Sequence, residues 1–266
     1  MAVASETEWI EPYEGFTFQE TSITADAAEQ ARALACCGID AEVFAGDADP
    51  AFFIAHAIAA GVANGISADG SVNMVQNVSQ HRPVPLDTPL TVNGRVLSVQ
   101  DVPRGKVSHT EVWFCDADGA RVLTADRRSL RPDPARAGVR GAGERPAPVV
   151  ADPMALEEIG GFAFKPDAVK AYNSSLNPIH YEPEAAARAG FRAPIIGGGM
   201  GVHFLTAAIW RNRRPQELHL QIYFRRPIFW DDHGTVRRAG DDDAWTALCL
   251  EKGGKVATEA RITRQA

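Results

Sequence analysis

Residues 173–183 read Asn-Ser-Ser-Leu-Asn-Pro-Ile-His-Tyr-Glu-Pro, and residues 190–199 read Gly-Phe-Arg-Ala-Pro-Ile-Ile-Gly-Gly-Gly. In the first stretch, Pro178 restricts Asn177 to extended conformations, so the Asn-Pro step predicts a turn that presents the side chain of His180. The glycine run of the second stretch opens an apolar helix, and the N–H groups at a helix start have no acceptor within the helix. The two stretches together offer an acid/base group and backbone hydrogen-bond donors.

The same order of elements occurs twice in the chain. Residues 132–154 are rich in Pro, Gly and Ala, have no apolar periodicity, and are predicted to be a linker. On either side of them, one apolar helix, over residues 50–64 or 200–210, precedes an antiparallel meander. The predicted strands cover residues 72–78, 91–100, 106–114 and 120–129, and then residues 218–224, 234–239, 244–250 and 256–263. The repeat predicts an α+β fold with two similar halves, residues 7–131 and 155–264.

The two quoted stretches resemble the hydratase motif of the MaoC-like enoyl-CoA hydratases and dehydratases. That motif reads Ser-Gly-Asp-x-Asn-Pro-Ile-His-x-Asp-Pro and then Gly-Phe-x-x-Pro-Ile-x-His-Gly. The resemblance implies a double hotdog, in which a curved antiparallel sheet wraps one long helix in each half and the two sheets run on into one another. Only the second half carries the motif. The divergent first half suits a role in enclosing the acyl group, and Gly61, Gly65 and Gly70 predict an opening near the end of its helix.

The resemblance also implies an activity and assigns roles to single residues. The expected enzyme is a hydro-lyase that adds water to a 2-enoyl thioester, or removes it from a 3-hydroxyacyl thioester, with coenzyme A or an acyl carrier protein as the carrier and with no cofactor. His180 is the predicted acid and base, because the ordinary pKa of imidazole is about 6.5. Gly198 matches the glycine whose backbone N–H polarises the substrate carbonyl, and Asn177 is predicted to orient the turn.

Further residues are predicted to bind substrate. Gly197 stands where the family has a histidine, Gly199 continues the glycine run, and Asn173 opens the motif segment. Arg225 matches a Phe-Arg-Arg-Pro segment of the family, where an arginine can meet a coenzyme A phosphate. His56 and His203 lie within the two apolar helices and are predicted to be core histidines.

Ser175 departs from the motif, because the family's catalytic aspartate falls on this residue. A serine hydroxyl can hold a water molecule but cannot act as a carboxylate base near neutral pH. Three explanations are open. His180 acts alone while Ser175, Ser174 or Asn173 positions the water; another carboxylate fills the place, with Glu182, Glu184 and Asp167 as local candidates; or the hydratase chemistry has been lost. The alternative functions are therefore an accessory acyl-thioester-binding protein and a hotdog thioesterase.

The composition limits the kinds of partner that the protein is expected to bind. The net charge of −7 argues against a nucleic-acid or anionic-membrane surface. The spacing of the cysteines, at positions 36, 37, 115 and 249, fits neither a metal site nor a disulfide framework, which predicts reduced thiols in a cytoplasmic protein. No apolar run reaches the length of a membrane span, and no metal-ligand spacing is present. A homodimer is the expected assembly.

Overall fold

The computed structural model describes residues 9–136, 139, 141, 143, 146–173, 177–242 and 244–266. The strands of the first half are β1 Thr21–Thr24, β2 Val72–Gln80, β3 Pro89–Val102, β4 Gly105–Cys115 and β5 Arg121–Pro132. Those of the second half are β6 Glu157–Ala163, β7 Leu218–Phe224, β8 His233–Asp241, β9 Ala244–Lys252 and β10 Lys255–Gln265. The α-helices are α1 Ala27–Cys36, α2 Phe52–Ala63, α3 Pro166–Asn173, α4 Pro183–Arg188 and α5 Gly198–Asn212.

The strands form a single 10-stranded antiparallel sheet in the order β1-β3-β4-β5-β2-β7-β10-β9-β8-β6. From the middle outward, each half has the same arrangement: its second strand is central, the fifth, fourth and third follow, and its first strand forms the edge. The halves join where β2 pairs with β7, from Val75 opposite Tyr223 to Gln80 opposite Leu218. The order and the junction confirm the predicted α+β double hotdog, with sheets that run on into one another.

Helices α2 and α5 contact each other, and both pack on the sheet. Every residue of α5 from Met200 to Trp210 is buried, as expected for a helix that is apolar all round. Helix α2 packs on β3, β4 and β5, whereas α5 packs on β6, β8 and β9. Each half therefore wraps its own helix, and the core is continuous across both halves.

The sequence predicted both central helices and all the strands of the two meanders. It missed α1, α3, α4 and the two edge strands, β1 and β6. The half boundaries at residues 7–131 and 155–264, with the linker between them, stay a prediction. Residues 7, 8, 137, 138, 140, 142, 144, 145, 174–176 and 243 of those segments lie outside the described residues.

Candidate active site

The turn that carries His180 is built as the Asn-Pro step predicted. Asn177 has an extended backbone, and its Oδ1 accepts a hydrogen bond from the N–H of Ile179 (3.4 Å) at the start of a 3-10 helix, Pro178–His180. Its Nδ2 donates to the carbonyls of Ala68 (3.3 Å) and Ser71 (3.2 Å), which belong to the first half. The buried Asn177 therefore orients the turn and ties it to the loop that follows α2.

The imidazole of His180 makes one hydrogen bond within the described part of the protein, through Nδ1. Its Nδ1 lies 2.9 Å from the carbonyl oxygen of Ile195, so in the neutral ring the proton sits on Nδ1. Nε2 is then an acceptor, and none of the described residues bonds to it. Burial lowers the pKa of His180 from 6.5, and the bond to Ile195 offsets part of this shift. The ring is a neutral base with its lone pair on Nε2.

The start of α5 lies close to His180 along the same short segment. The N–H of Ile195 donates to the carbonyl of Ile179 (3.2 Å), and Gly197 caps α5 with an extended backbone. The N–H of Gly198 has no acceptor among the described residues, because it belongs to the first turn of the helix. A Cβ on Gly198 would lie 2.8 Å from Cζ of Phe224 on β7, so a larger residue here would force the ring or the helix start to shift.

Gly197 and Asn173 lie in contact, which explains why position 197 holds a glycine and not the histidine of the motif. Oδ1 of Asn173 occupies the space that a Cβ on Gly197 would need. Asn173 is buried, and its Nδ2 donates to the carbonyl of Val169 (2.8 Å). A histidine at position 197 would therefore displace Asn173. A Cβ on Gly199 would lie 3.3 Å from the hydroxyl of Tyr172 and in ordinary contact, at 3.8 Å, with Ile54 of α2.

The structure brings no carboxylate to His180 within the part of the chain that it describes. The three candidates, Glu182, Glu184 and Asp167, are exposed, and no acidic group contributes to the pKa shift of His180. Ser175 lies outside the described residues together with Ser174 and Leu176. The water-positioning role of Ser175 stays a prediction.

Arg225 is used within the protein, in contrast to the predicted substrate contact. Its guanidinium pairs with the buried carboxylate of Glu259 (2.6 Å). It also donates to the carbonyls of Pro146 and Ala147, each at 2.9 Å. All of its nitrogens therefore have partners, and they fasten the segment before β6 to β10. We assign Arg225 a structural role because each of its three nitrogens already bonds within the protein.

A buried chain of polar side chains links the halves, and the sequence did not predict it. Nδ1 of His203 on α5 lies 2.6 Å from Oδ2 of Asp49, which precedes α2, and its Nε2 lies 2.8 Å from the hydroxyl of Tyr172. His203 and Asp49 are completely buried. The core assignment of His203 agrees with these bonds. His56 packs against Phe52, but its buried Nε2 has no partner among the described residues.

Across the described ranges, no group of at least three His, Cys, Asp or Glu side chains is placed to hold a metal ion. No helix within those ranges is long and apolar enough to cross a membrane.

Solved structures of other proteins have a similar fold. No family model matches the chain, and no curated protein matches it. Among solved structures, the chain is similar to HtdX from Mycobacterium tuberculosis, with a TM-score of 0.69 and 18% identity over 92% of this chain and 98% of that one. It is also similar to a MaoC-like dehydratase from Phytophthora capsici, with a TM-score of 0.66 and 19% identity over 93% and 96% of the two chains.

The same fold occurs in a putative oleoyl thioesterase from Lactobacillus plantarum, with a TM-score of 0.60 and 11% identity over 93% of this chain and 95% of that one. The chain therefore has the double hotdog fold, which it shares with MaoC-like dehydratases and with thioesterases. This confirms at the level of the fold the resemblance that the sequence motif suggested.

Proposed function

We propose that the protein is a hydratase or dehydratase of acyl thioesters, with His180 as acid and base and the Gly198 N–H as oxyanion donor. One observation carries the proposal: a neutral imidazole with an unused Nε2 bonds to Ile195, three residues before Gly198, whose N–H at the helix start is unused. These are the groups that hydration of an enoyl thioester needs. The names of the structural neighbours, which include MaoC-like dehydratases, support the same class.

In the direction of hydration, Nε2 of His180 takes a proton from water while the water oxygen attacks C3 of the enoyl group. The electron pair of the C2–C3 double bond moves towards the thioester, and the charge on its oxygen is stabilised by the Gly198 N–H and the start of α5. The imidazolium then returns a proton to C2. The product is a 3-hydroxyacyl thioester, and dehydration follows the same steps in reverse.

The remaining assignments complete the proposal. Asn177 orients the turn, Ser175 positions the water, and Asn173, Gly197 and Gly199 shape the wall beside the thioester. The carrier is coenzyme A or an acyl carrier protein, and no cofactor takes part. We expect a cytoplasmic homodimer that associates through sheet edges or helix faces.

Two other functions have specific support. The missing motif aspartate and the glycine at position 197 favour an accessory protein that binds acyl thioesters without turning them over. The thioesterase among the structural neighbours favours hydrolysis of the thioester. A hotdog thioesterase normally uses a carboxylate or another base near the helix start, and the first turn of α5 contains no acidic residue.

One experiment separates these functions. The protein is incubated with a panel of 2-enoyl-CoA and 3-hydroxyacyl-CoA esters, and both the absorbance of the conjugated thioester and the release of free thiol are followed. We expect hydration, or dehydration, without thiol release. We also expect His180→Ala to lower the rate by about 10²-fold to 10⁴-fold, the usual contribution of one acid–base group.

The control is His233→Ala, because His233 is exposed at the start of β8 and should not affect the rate. Tight binding without turnover would favour the accessory protein, and thiol release would favour the thioesterase. Full activity in folded His180→Ala would refute the assignment of the site.

A further inference from the structure

A small polar cavity lies in the first half, beyond the end of α2. Its volume is about 30 Å³, which is room for about two groups of the size of water. Its wall includes the serines Ser67, Ser71, Ser108 and Ser129 together with Arg127. The hydroxyl groups of Ser108 and Ser129 bond to each other (3.3 Å), and those of Ser67 and Ser71 can donate hydrogen bonds to an anion.

Arg127 is placed on the inner face of the sheet. Along β5 the buried Leu123 and Ala125 alternate with outward residues, so Arg127 and Ser129 continue their row on the inner face. Arg127 stands opposite Thr110 on β4 and Gln76 on β2, and both of these residues are buried. The guanidinium therefore points into the covered side of the sheet, where it lines the cavity.

The charge of Arg127 is unpaired among the described residues, because its guanidinium makes no hydrogen bond or ion pair with any of them. Burial alone lowers the pKa of Arg127 to about 10, with no contribution from an acidic group, so the side chain remains charged at neutral pH. By comparison, the buried Arg237 pairs with Glu158 and Glu251. Arg127 itself is half-buried, so its guanidinium is partly desolvated and has no partner within the described part of the chain, which favours a site that an anion completes.

The surroundings of the cavity reinforce the positive charge. Lys106 and Arg131 also line it, and Glu11 is the acidic residue of its wall. Glu11 already interacts with both cations, at 3.0 Å from Lys106 and 3.8 Å from Arg131. Among the described residues that line the cavity, no further carboxylate is available to pair with Arg127. An anion that entered the cavity would therefore meet an excess of positive charge.

The cavity lies beside the loop that holds the His180 turn. Ser71 lines the cavity, and its carbonyl accepts a hydrogen bond from Asn177, which begins the His180 turn. Gln76, the register partner of Arg127, pairs on its other side with Ile222 of β7. Since neighbouring strands are about 5 Å apart, Arg127 lies about 10 Å across the sheet from β7, whose Phe224 packs on Gly198.

We propose that Arg127 and the surrounding serines bind a carboxylate at the far end of the acyl group, so that the substrate is a dicarboxylic acyl thioester. The inference rests on the proposed function, because the thioester end occupies the site at His180 and Gly198. A guanidinium and a carboxylate form two parallel hydrogen bonds, and the hydroxyl groups satisfy the remaining oxygen lone pairs. The phosphates of coenzyme A are the competing source of an anion.

The test compares acyl groups of equal length with and without the second carboxylate. We expect the wild-type protein to prefer trans-2-hexenedioyl-CoA over trans-2-hexenoyl-CoA by at least about 10-fold in kcat/KM. Arg127→Met should lower kcat/KM for the dicarboxylic ester by about 10-fold to 100-fold and leave the monocarboxylic ester unchanged. The matched control is Arg128→Met, because Arg128 is the next residue of β5 and is exposed.

A binding measurement separates failure of the subsite from failure of the proposed function. Hexanedioyl-CoA, hexanoyl-CoA and free coenzyme A are titrated by calorimetry into the wild-type protein and Arg127→Met. Tighter binding of hexanedioyl-CoA that is lost in the variant supports the subsite even when no enoyl-CoA is turned over. Turnover of 2-hexenoyl-CoA without any preference for the second carboxylate overturns the subsite and leaves the hydratase intact. Equal weakening of all three ligands assigns Arg127 to a coenzyme A phosphate and also overturns it.

Discussion

His180 illustrates how single contacts set the chemistry of one residue. Burial disfavours the charged imidazolium, while the carbonyl of Ile195 favours a proton on Nδ1. The first effect is larger, so the pKa lies below 6.5 and the ring is neutral at pH 7. A neutral ring with its proton on Nδ1 suits the base of the hydration step, because Nε2 is free to accept.

The first prediction concerns the pH dependence of hydration. We expect kcat/KM to fall as the pH decreases through a midpoint below 6.5, because protonation of His180 removes the base. The midpoint is measured from rates between about pH 4.5 and 8 with crotonyl-CoA. The residual rate of His180→Ala should lack this transition. A midpoint above 7 would show that another group is the base.

The second prediction concerns Ser175. Ser175→Ala should lower the rate by no more than about tenfold, because it removes one neutral hydrogen bond to water. Ser175→Asp restores the motif aspartate and should raise the hydration of crotonyl-CoA, since no described carboxylate contacts His180 and would repel the new charge. Ser175→Asn is the uncharged control of equal size. Lower activity in Ser175→Asp alone would indicate a second carboxylate in the site.

Among the secondary-structure elements, the sequence predicted those with a clear apolar period or a clear turn signal. The eight-strand meander pattern and the two apolar helices have clear periods, and the Asn-Pro step predicted the His180 turn. The edge strand β6 contains Gly160 and Gly161 and lacks clear alternation, and β1 has only 4 residues. Helix α1 was missed although Asp26 caps it with a bond to the N–H of Glu29 (2.7 Å).

The contacts that complete the site join residues far apart in sequence, which no local pattern reveals. Asn177 reaches Ala68 and Ser71 across more than 100 residues, and Asn173 fills the space beside Gly197 only because α3 folds back on α5. The position of Arg127 could not be predicted from local sequence either, since an arginine in a strand is usually solvated. Its inward direction depends on which face of β5 is covered.

The third prediction concerns the start of α5. In Gly198→Ala the added methyl group would lie 2.8 Å from Cζ of Phe224, so the helix start or the ring must shift. A displacement of about 1 Å at an oxyanion donor is expected to lower kcat by about 10²-fold. Adding Phe224→Leu should restore part of the rate. Gly160→Ala is the control, because a Cβ there meets nothing within 4 Å. Wild-type kcat in Gly198→Ala would exclude this N–H as the donor.

In the whole molecule, the two halves contribute different residues to the candidate site but share one sheet and one core. The second half supplies His180 and Gly198, while the first half supplies the loop that holds Asn177 and the cavity with Arg127. The β2–β7 junction makes the sheet continuous, and Cys37 contacts the carbonyl of Met200 across the halves (3.7 Å). This arrangement agrees with the proposal that the second half supplies the reactive groups and the first half encloses the acyl group.

The last prediction concerns the buried bond between the halves. Burial raises the pKa of Tyr172 well above 10, so its hydroxyl donates to Nε2 of His203, and Nδ1 of His203 donates to Asp49. Asp49→Ala would leave a buried donor without an acceptor and also remove the bond from the N–H of Ala51. We expect it to lower the free energy of unfolding by about 3–5 kcal/mol, measured in urea by fluorescence and circular dichroism.

The matched control is Asp101→Ala, which removes an exposed carboxylate from β3 and should change the free energy of unfolding by less than about 0.5 kcal/mol. Because Asp49 precedes α2 and His203 lies on α5, the two spectroscopic transitions of Asp49→Ala should shift together if the halves unfold as one unit. Separate transitions would show that the halves are independently stable and that the buried bond only orients α2 against α5. A loss no larger than that of Asp101→Ala would mean that the chain from Asp49 to Tyr172 contributes little to the union of the halves.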